Sequence, residues 1–106
     1  MSFHLQILSP EKCLFDGQVN KVSFPGTKGR FTVLLRHAPL ISSLEKGVIN
    51  FSEVKGDNPN QGVEHIVSIH RGFVEVKDNE VIACVEEGKK RIGDPPPTPP
   101  SMEGSR

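Results

Sequence analysis

The sequence predicts an all-β domain, a sandwich or barrel of short strands. Three observations predict it. Apolar residues recur with a period of two in several windows, turn-forming dipeptides separate those windows, and no window carries a long amphipathic helical stripe. Many short strands with turn signals at close spacing are how two-layered and closed sheets read in sequence.

Taken in order, SFHLQIL sets Phe3, Leu5 and Ile7 on one face and His4 and Gln6 on the other, the pattern of a half-buried strand. Pro10 interrupts it. KCLFDG and QVNKVSF follow as two strands, with Asp16-Gly17 read as the turn between them. Pro25-Gly26 and Lys28-Gly29 make one tight connection, because glycine reaches positive φ at little cost. RFTVLL is a β-branched and aromatic strand that stops at Arg36-His37. LISSLEK fits a short helix or a strand and is broken at Gly47, after which GVINFSEV reads as a strand. KGDNPNQG is a polar hairpin loop. VEHIVSI alternates Val63, His65, Val67 and Ile69 against Glu64, Ile66 and Ser68. GFVEVKDNEVIACVEE is a hairpin turning at Asp78-Asn79, residue types that tolerate left-handed backbone.

The chain divides near residue 88. Residues 1–87 form one domain, and residues 88–106 read as a disordered Pro-rich tail: five of the nine prolines fall there, and PPP favours polyproline II over any packed core. Thirteen basic and thirteen acidic residues cancel, which argues against a broad grip on nucleic acid or anionic lipid but allows a local patch. No apolar run approaches the roughly 20 residues needed to span a bilayer. The N-terminus lacks the basic start and apolar stretch of a signal peptide, so a cytoplasmic chain is expected. Cys13 and Cys84, without zinc-ligand spacing, read as small buried side chains in a reducing compartment.

The chemistry-bearing residues assemble no active site. PGTKGR fails as a phosphate loop: Gly26 and Gly29 are too close, Lys28 precedes the second glycine, and a strand follows where a helix is needed. His4, His37, His65 and His70 form no i, i+2 pair on a strand face, so no metal site is expected. The glutamates at 45, 53, 64, 75, 80, 86 and 87 fall at solvent-facing positions, and neither cysteine has a base nearby in sequence. Six phenylalanines with no tryptophan or tyrosine make a stacking platform for bases or sugars improbable. No cofactor and no catalytic residue is expected; the residues point to a binding or structural module. A stand-alone β-sandwich ligand binder is the second reading, and a small enzyme using His37 or Cys13 a third.

Ser9-Pro10-Glu11, Phe15-Asp16-Gly17, Pro25-Gly26-x-x-Gly29, His37-Ala38-Pro39-Leu40, Leu44-x-x-Gly47 and Gly72-Phe73-x-Glu75-Val76 stand in this order over residues 3 to 87. Together they resemble the ε subunit family of bacterial F-type ATP synthases, called δ in mitochondria. The resemblance implies a flattened ten-stranded β-sandwich at the foot of the rotor. It would clamp onto the γ subunit, sit on the polar loops of the c-ring, and carry torque from proton flow to the catalytic head without chemistry of its own. It would lie at the cytoplasmic face of the bacterial plasma membrane, associated with the membrane only through the complex. Carried over residue by residue, Thr27, Lys28, Gly29 and Arg30 would face the c-ring. Ser9, His37, Ala38, Pro39, Leu40 and Ile41 would face γ.

Two departures stand out. Family members often carry a C-terminal helical hairpin that inhibits ATP hydrolysis and in some binds ATP. PPPTPP follows the last strand too closely for one here, so a short form without those roles is expected. Family loops commonly have small or polar residues before the histidine and an acid in the glycine loop, where this sequence has Leu35-Arg36 and Arg30. That basic character implies an acidic counterpart on the ring or on γ.

Overall fold

The computed structural model describes residues 2–55 and 62–88, and these form seven strands with no helix. The strands are β1 (Phe3–Leu8), β2 (Cys13–Gly26), β3 (Gly29–Val33), β4 (Leu40–Leu44), β5 (Gly47–Val54), β6 (Gly62–Lys77) and β7 (Glu80–Glu87). β1 lies between β2, antiparallel, and β7, parallel. β7 pairs with β6, β6 with β5, and β5 with β2, so five strands close into a ring. β4 runs along the second half of β6 and touches β2 at Gly26 opposite Leu44. β3 hairpins back on β2.

Two long strands turn this ring into a flattened sandwich. β2 has a bulge between Val19 and Lys21, and β6 has one between Ile69 and Arg71. A bulge adds one residue and bends the strand, so the inward face changes parity. In β6, Ile69 is buried before the bulge, and Val74 and Val76 after it. In β2, Val19 is buried before and Val22 and Phe24 after. Each long strand thereby serves both layers. Ten strands are expected and seven are present among the described residues, with β2 and β6 each running through a bend as one strand.

The expected turn at Asp16-Gly17 is also corrected. Both residues lie inside β2, with Asp16 opposite Gln6 and Gly17 opposite Leu5. The chain reverses earlier, at residues 9–12. There the Ser9 amide donates to the Lys12 carbonyl (2.8 Å), and the Ser9 hydroxyl accepts from the Lys12 amide (3.2 Å). A side chain that satisfies backbone groups locally makes this reversal without glycine. The ambiguous LISSL segment is strand β4. The polar loop expected at 55–62 falls mostly on residues outside those described, as does the tail beyond Gly88.

The core is a single cluster fed by every strand: Phe3, Leu5 and Ile7 from β1 meet Val81, Ala83 and Val85 of β7, while Phe24, Ile49 and Phe51 fill the other layer. Gly72 has no room for a side chain. A Cβ on Gly72 would stand 2.5 Å from the Cys84 carbonyl oxygen and 2.9 Å from the Val85 Cα, so β6 approaches β7 there only without a side chain. The cysteines are not both buried as expected. Cys13 is exposed and Cys84 half-buried, because the registers Cys13–Leu8 and Leu8–Cys84 put both on outward positions.

Candidate docking surfaces

The outer face of the layer built from β1, β7, the second half of β6 and β4 carries exposed apolar side chains among its polar ones. Two cross-strand rows define it: Ser43–Phe73–Cys84–Leu8–Cys13, and Ile41–Glu75–Ile82–Gln6–Asp16. Ile41 is 74% exposed, Phe73 54% and Ile82 37%. Beside Phe73 runs an open groove of about 740 Å³, walled by Leu8, Ser9, Pro10, Ser43, Cys84 and Val85, with Arg71 and Glu86 at its edge. Those last two form an ion pair, Arg71 Nε to Glu86 Oε1 at 3.4 Å. A second hollow of about 350 Å³ lies between Pro39, Leu40 and Ile41 on one side and Glu75, Val76 and Lys77 on the other.

Next to these rows sits a charged clasp. His4 Nε2 is 2.6 Å from Asp16 Oδ1 on β2, and Nδ1 is 2.8 Å from Glu80 Oε1 on β7. Ionised carboxylates only accept hydrogen bonds, so both contacts are made only when the imidazole carries two protons. The bond to Asp16 first, then that to Glu80, raises the His4 pKa above its ordinary 6.5, against a smaller opposing effect of burial.

The residues expected to face γ divide. Ser9 lines the groove, Ile41 points outward into the second hollow, and Ala38 and Pro39 are exposed beside it. Leu40 does otherwise: it pairs with Val76 and packs against the core. His37 closes a turn, its amide donating to the Leu34 carbonyl (3.1 Å) while Nδ1 donates to the Ala38 carbonyl (2.8 Å). That turn holds Arg36 at φ 64°, a left-handed value that costs a side-chain-bearing residue energy. The Asn79 side chain supports it, its Oδ1 accepting from the Arg36 amide at 2.8 Å, and the Asn79 carbonyl accepts from the His4 amide at 3.2 Å.

The residues expected to face the c-ring divide as well. Thr27 and Lys28 form the tip of the β2–β3 hairpin, and Gly29 takes φ 125°, a value other residues rarely adopt. The tip is anchored: Thr27 shares a hydrogen bond with the Ser43 hydroxyl (2.9 Å), and its amide donates to the Ser43 carbonyl (3.1 Å). Arg30 belongs to the strand rather than the loop. Its guanidinium donates to the Val48 carbonyl (2.8 Å) and to Asn50 Oδ1 (3.0 Å), tying β3 to β5.

A family model described as the ATP synthase delta/epsilon chain β-sandwich domain matches residues 2–90. The chain belongs to this delta/epsilon family. Among its relatives, the ATP synthase epsilon chain of Chlorobaculum tepidum is 37% identical over 86 residues, covering 81% of this chain and 91% of that protein. The epsilon chain of Leptospira interrogans serovar Lai is 32% identical over 108 residues, covering 92% of this chain and 80% of the other. Other relatives are longer: this chain spans 61% of the Leptospira borgpetersenii epsilon chain. Two solved structures share the fold. The central stalk and c-ring of the Tetrahymena thermophila mitochondrial ATP synthase holds a chain with a TM-score of 0.60 at 19% identity, matching 79% of this chain and 63% of that one. The Euglena gracilis mitochondrial ATP synthase gives 0.70 at 20% identity, matching 81% of this chain and 51% of that one.

Phe73, Ile82, Leu8 and Cys84, which form most of the apolar face, were absent from the sequence-derived site. Their signal was present: VIACV is nearly continuous in apolar residues, and Phe73-Val74 puts apolar side chains on both faces of β6. A strand apolar on both sides has something covering each side.

Proposed function

We propose that this member of the delta/epsilon family is a non-catalytic rotor subunit of a proton-translocating F-type ATP synthase, joining the c-ring to γ. The single observation that carries the reading is the outward apolar face of β4, β6, β7 and β1. An exposed apolar patch rimmed by charge is the mark of a protein interface. In this reading Phe73, Ile82, Ile41 and the groove beside Ser9 receive γ, with His37, Ala38 and Pro39 along its margin and Leu40 buttressing them from the core. The β2–β3 hairpin rests on the ring through Thr27, Lys28 and Gly29. Arg30, already bound to Val48 and Asn50, stiffens that hairpin and adds charge.

The mechanics follow from the fold. Torque needs two contact surfaces with little compliance between them. The ring of strands has hydrogen bonds running around its whole circumference, and the Thr27–Ser43 anchor fixes the hairpin to the strand that carries Ile41. The subunit would lie at the cytoplasmic face of the bacterial plasma membrane, held there by the complex.

The test is capture of the chain by tagged γ, followed by gel filtration with and without the assembled catalytic head. Co-elution with γ, and no ATPase activity of the chain alone, are expected. A chain that stays free in the presence of γ and the head refutes the reading.

A further inference from the structure

β4 stands at the margin of the layer that carries the apolar face. β6 pairs along one side of it, and on the other side it meets β2 only at Gly26–Leu44. Two hydrogen bonds flank that meeting, from the Thr27 amide to the Ser43 carbonyl (3.1 Å) and from the Glu45 amide to the Pro25 carbonyl (2.9 Å). They fix which way each residue of β4 turns its backbone. Ser43 and Glu45 point towards β2, so by the alternation of an antiparallel ladder Ser42 and Leu44 point towards β6. Ile41 shares the parity of Ser43. Its amide and carbonyl therefore point off the edge of the layer, and among the described residues no strand pairs with them. The Ser43 amide lies on the same side, likewise without a strand opposite it.

A bare edge is ordinarily blunted by charge or by proline. Here Pro39, which has no amide, stops the edge two residues before Ile41, but LISSL itself carries no charged residue. Ile41 is 74% exposed and turns its side chain to the same outer face as Phe73. The hollow of about 350 Å³ walled by Pro39, Leu40 and Ile41 opens beside it. The edge of β3, a strand that pairs with β2 alone, offers less: its exposed residues are Gly29, Arg30 and Thr32, none with a sizeable apolar side chain.

We propose that an extended segment of γ adds to the sheet along β4, its backbone bonding to the Ile41 amide and carbonyl and to the Ser43 amide. Donor, acceptor and donor stand in a row about 7 Å long, the two-residue repeat of a strand. An extended peptide backbone presents the matching row, whereas a helix has spent its backbone groups internally. Pro39 keeps the pairing short, to about three residues. The residue of the segment opposite Ile41 would lie about 5.5 Å away on the same face. An apolar residue is therefore specified there, covering Ile41 and extending the patch that Phe73 begins. The hydrogen bonds set the register of the docked partner, and the apolar side chains supply the buried area. The choice of γ rests on the proposed function, which seats γ on the adjoining face.

Amide hydrogen exchange, read by NMR on the isotope-labelled full-length chain alone and bound to unlabelled γ, tests it. In the free chain the Ile41 and Ser43 amides are expected to exchange fast, and those of Ser42 and Leu44, bonded to β6, slowly. Binding of γ is expected to slow Ile41 and Ser43 by about 100-fold or more and to leave Arg30 and Thr32 on β3 unchanged. A pair of variants reads the same bond in affinity. Ile41→Ala removes the side chain; Ile41→Pro removes the amide as well, at an edge position where proline leaves the ladder to β6 intact. The proline variant is expected to bind γ about ten-fold more weakly than the alanine variant, because an acceptor on γ is left unpaired. Should the proline variant fail to fold, exchange in the unaltered chain still decides. Equal Kd for the two folded variants, or unchanged exchange at Ile41 and Ser43 with γ bound, overturns the proposal. Slow exchange at Ile41 in the free chain that is lost on dilution overturns it too, marking instead pairing with a second copy. Unchanged exchange with γ bound refutes this inference alone, whereas an unaltered chain that does not bind γ refutes the proposed function and the inference with it.

Discussion

Replacing Phe73 with threonine removes the largest apolar contact of the proposed γ face while leaving a residue that suits a strand. Phe73 is 54% exposed in the free domain. With about 200 Å² of accessible surface on a phenylalanine, about 110 Å² awaits a partner. At about 25 cal/mol per Å², covering it contributes about 2.8 kcal/mol, of which threonine retains a fraction. The expected loss is about 2 kcal/mol, or about thirty-fold in Kd for γ. Titration calorimetry against purified γ reads this directly. Stability is expected to move by less than about 0.5 kcal/mol in urea unfolding, because the ring points away from the core. Ile66→Thr is the matched control: Ile66 is 69% exposed but lies on the outer face of the other layer, opposite Asn50. It should leave the Kd alone. An unchanged Kd for Phe73→Thr, or an equal loss for Ile66→Thr, would refute the assignment of the face.

Gly72→Ala places a methyl group against the β7 backbone at Cys84 and Val85 and is expected to cost about 2 kcal/mol or more; an unfolding free energy in urea lowered by under about 0.5 kcal/mol would mean the strands move apart freely. The His4 clasp gives a pH dependence whose sign follows from its raised pKa: its contribution is complete below about pH 6.5, the ordinary value, and is lost as pH rises through the higher folded-state value. Thermal melts of the native chain should therefore lose a stabilising increment across and above that range that His4→Gln lacks, and parallel curves would count against the clasp. Asn79→Gly keeps the left-handed backbone but loses the bond to the Arg36 amide, at a cost of about 0.5–1.5 kcal/mol. Asn79→Ala adds about 1 kcal/mol of backbone strain, so the alanine variant should unfold at the lower urea concentration.

What the sequence disclosed follows from how local each signal is. Strand β1 was plain, since Phe3, Leu5 and Ile7 alternate without interruption. The β6–β7 hairpin was plain too: Asp78 and Asn79 both take positive φ, 53° and 61°, the conformation that a two-residue hairpin turn demands. Asp16-Gly17 misled because the same dipeptide fits a strand when its partner strand continues past it, and pairing with β1 is a long-range fact. The bulges hid most. Across Val19–Lys21 and Ile69–Arg71 the inward parity changes, so no single alternation spans β2 or β6; β6 reads as two strands for that reason, whereas β2 was divided earlier, at Asp16-Gly17. Among the site residues, Ile41 and the Thr27-Lys28 tip lie at exposed positions and Ser9 at a half-buried one. Leu40 turned inward and Arg30 proved bonded within the sheet, because facing is set by register, which a motif does not specify.

The parallel seam between β1 and β7 has a consequence for how the protein comes into being. His4 and Glu80, which meet across it, are 76 positions apart. On a ribosome, the first strand made finds β2 almost at once, then waits with its other edge bare until the last strand emerges. Contacts so distant in the chain close slowly, and bare edges invite the wrong neighbour. The ring therefore stays open throughout synthesis and closes only when β7 is free. A chain halted before Glu80 leaves the N-terminal strand with one edge unpaired, ready to join another copy.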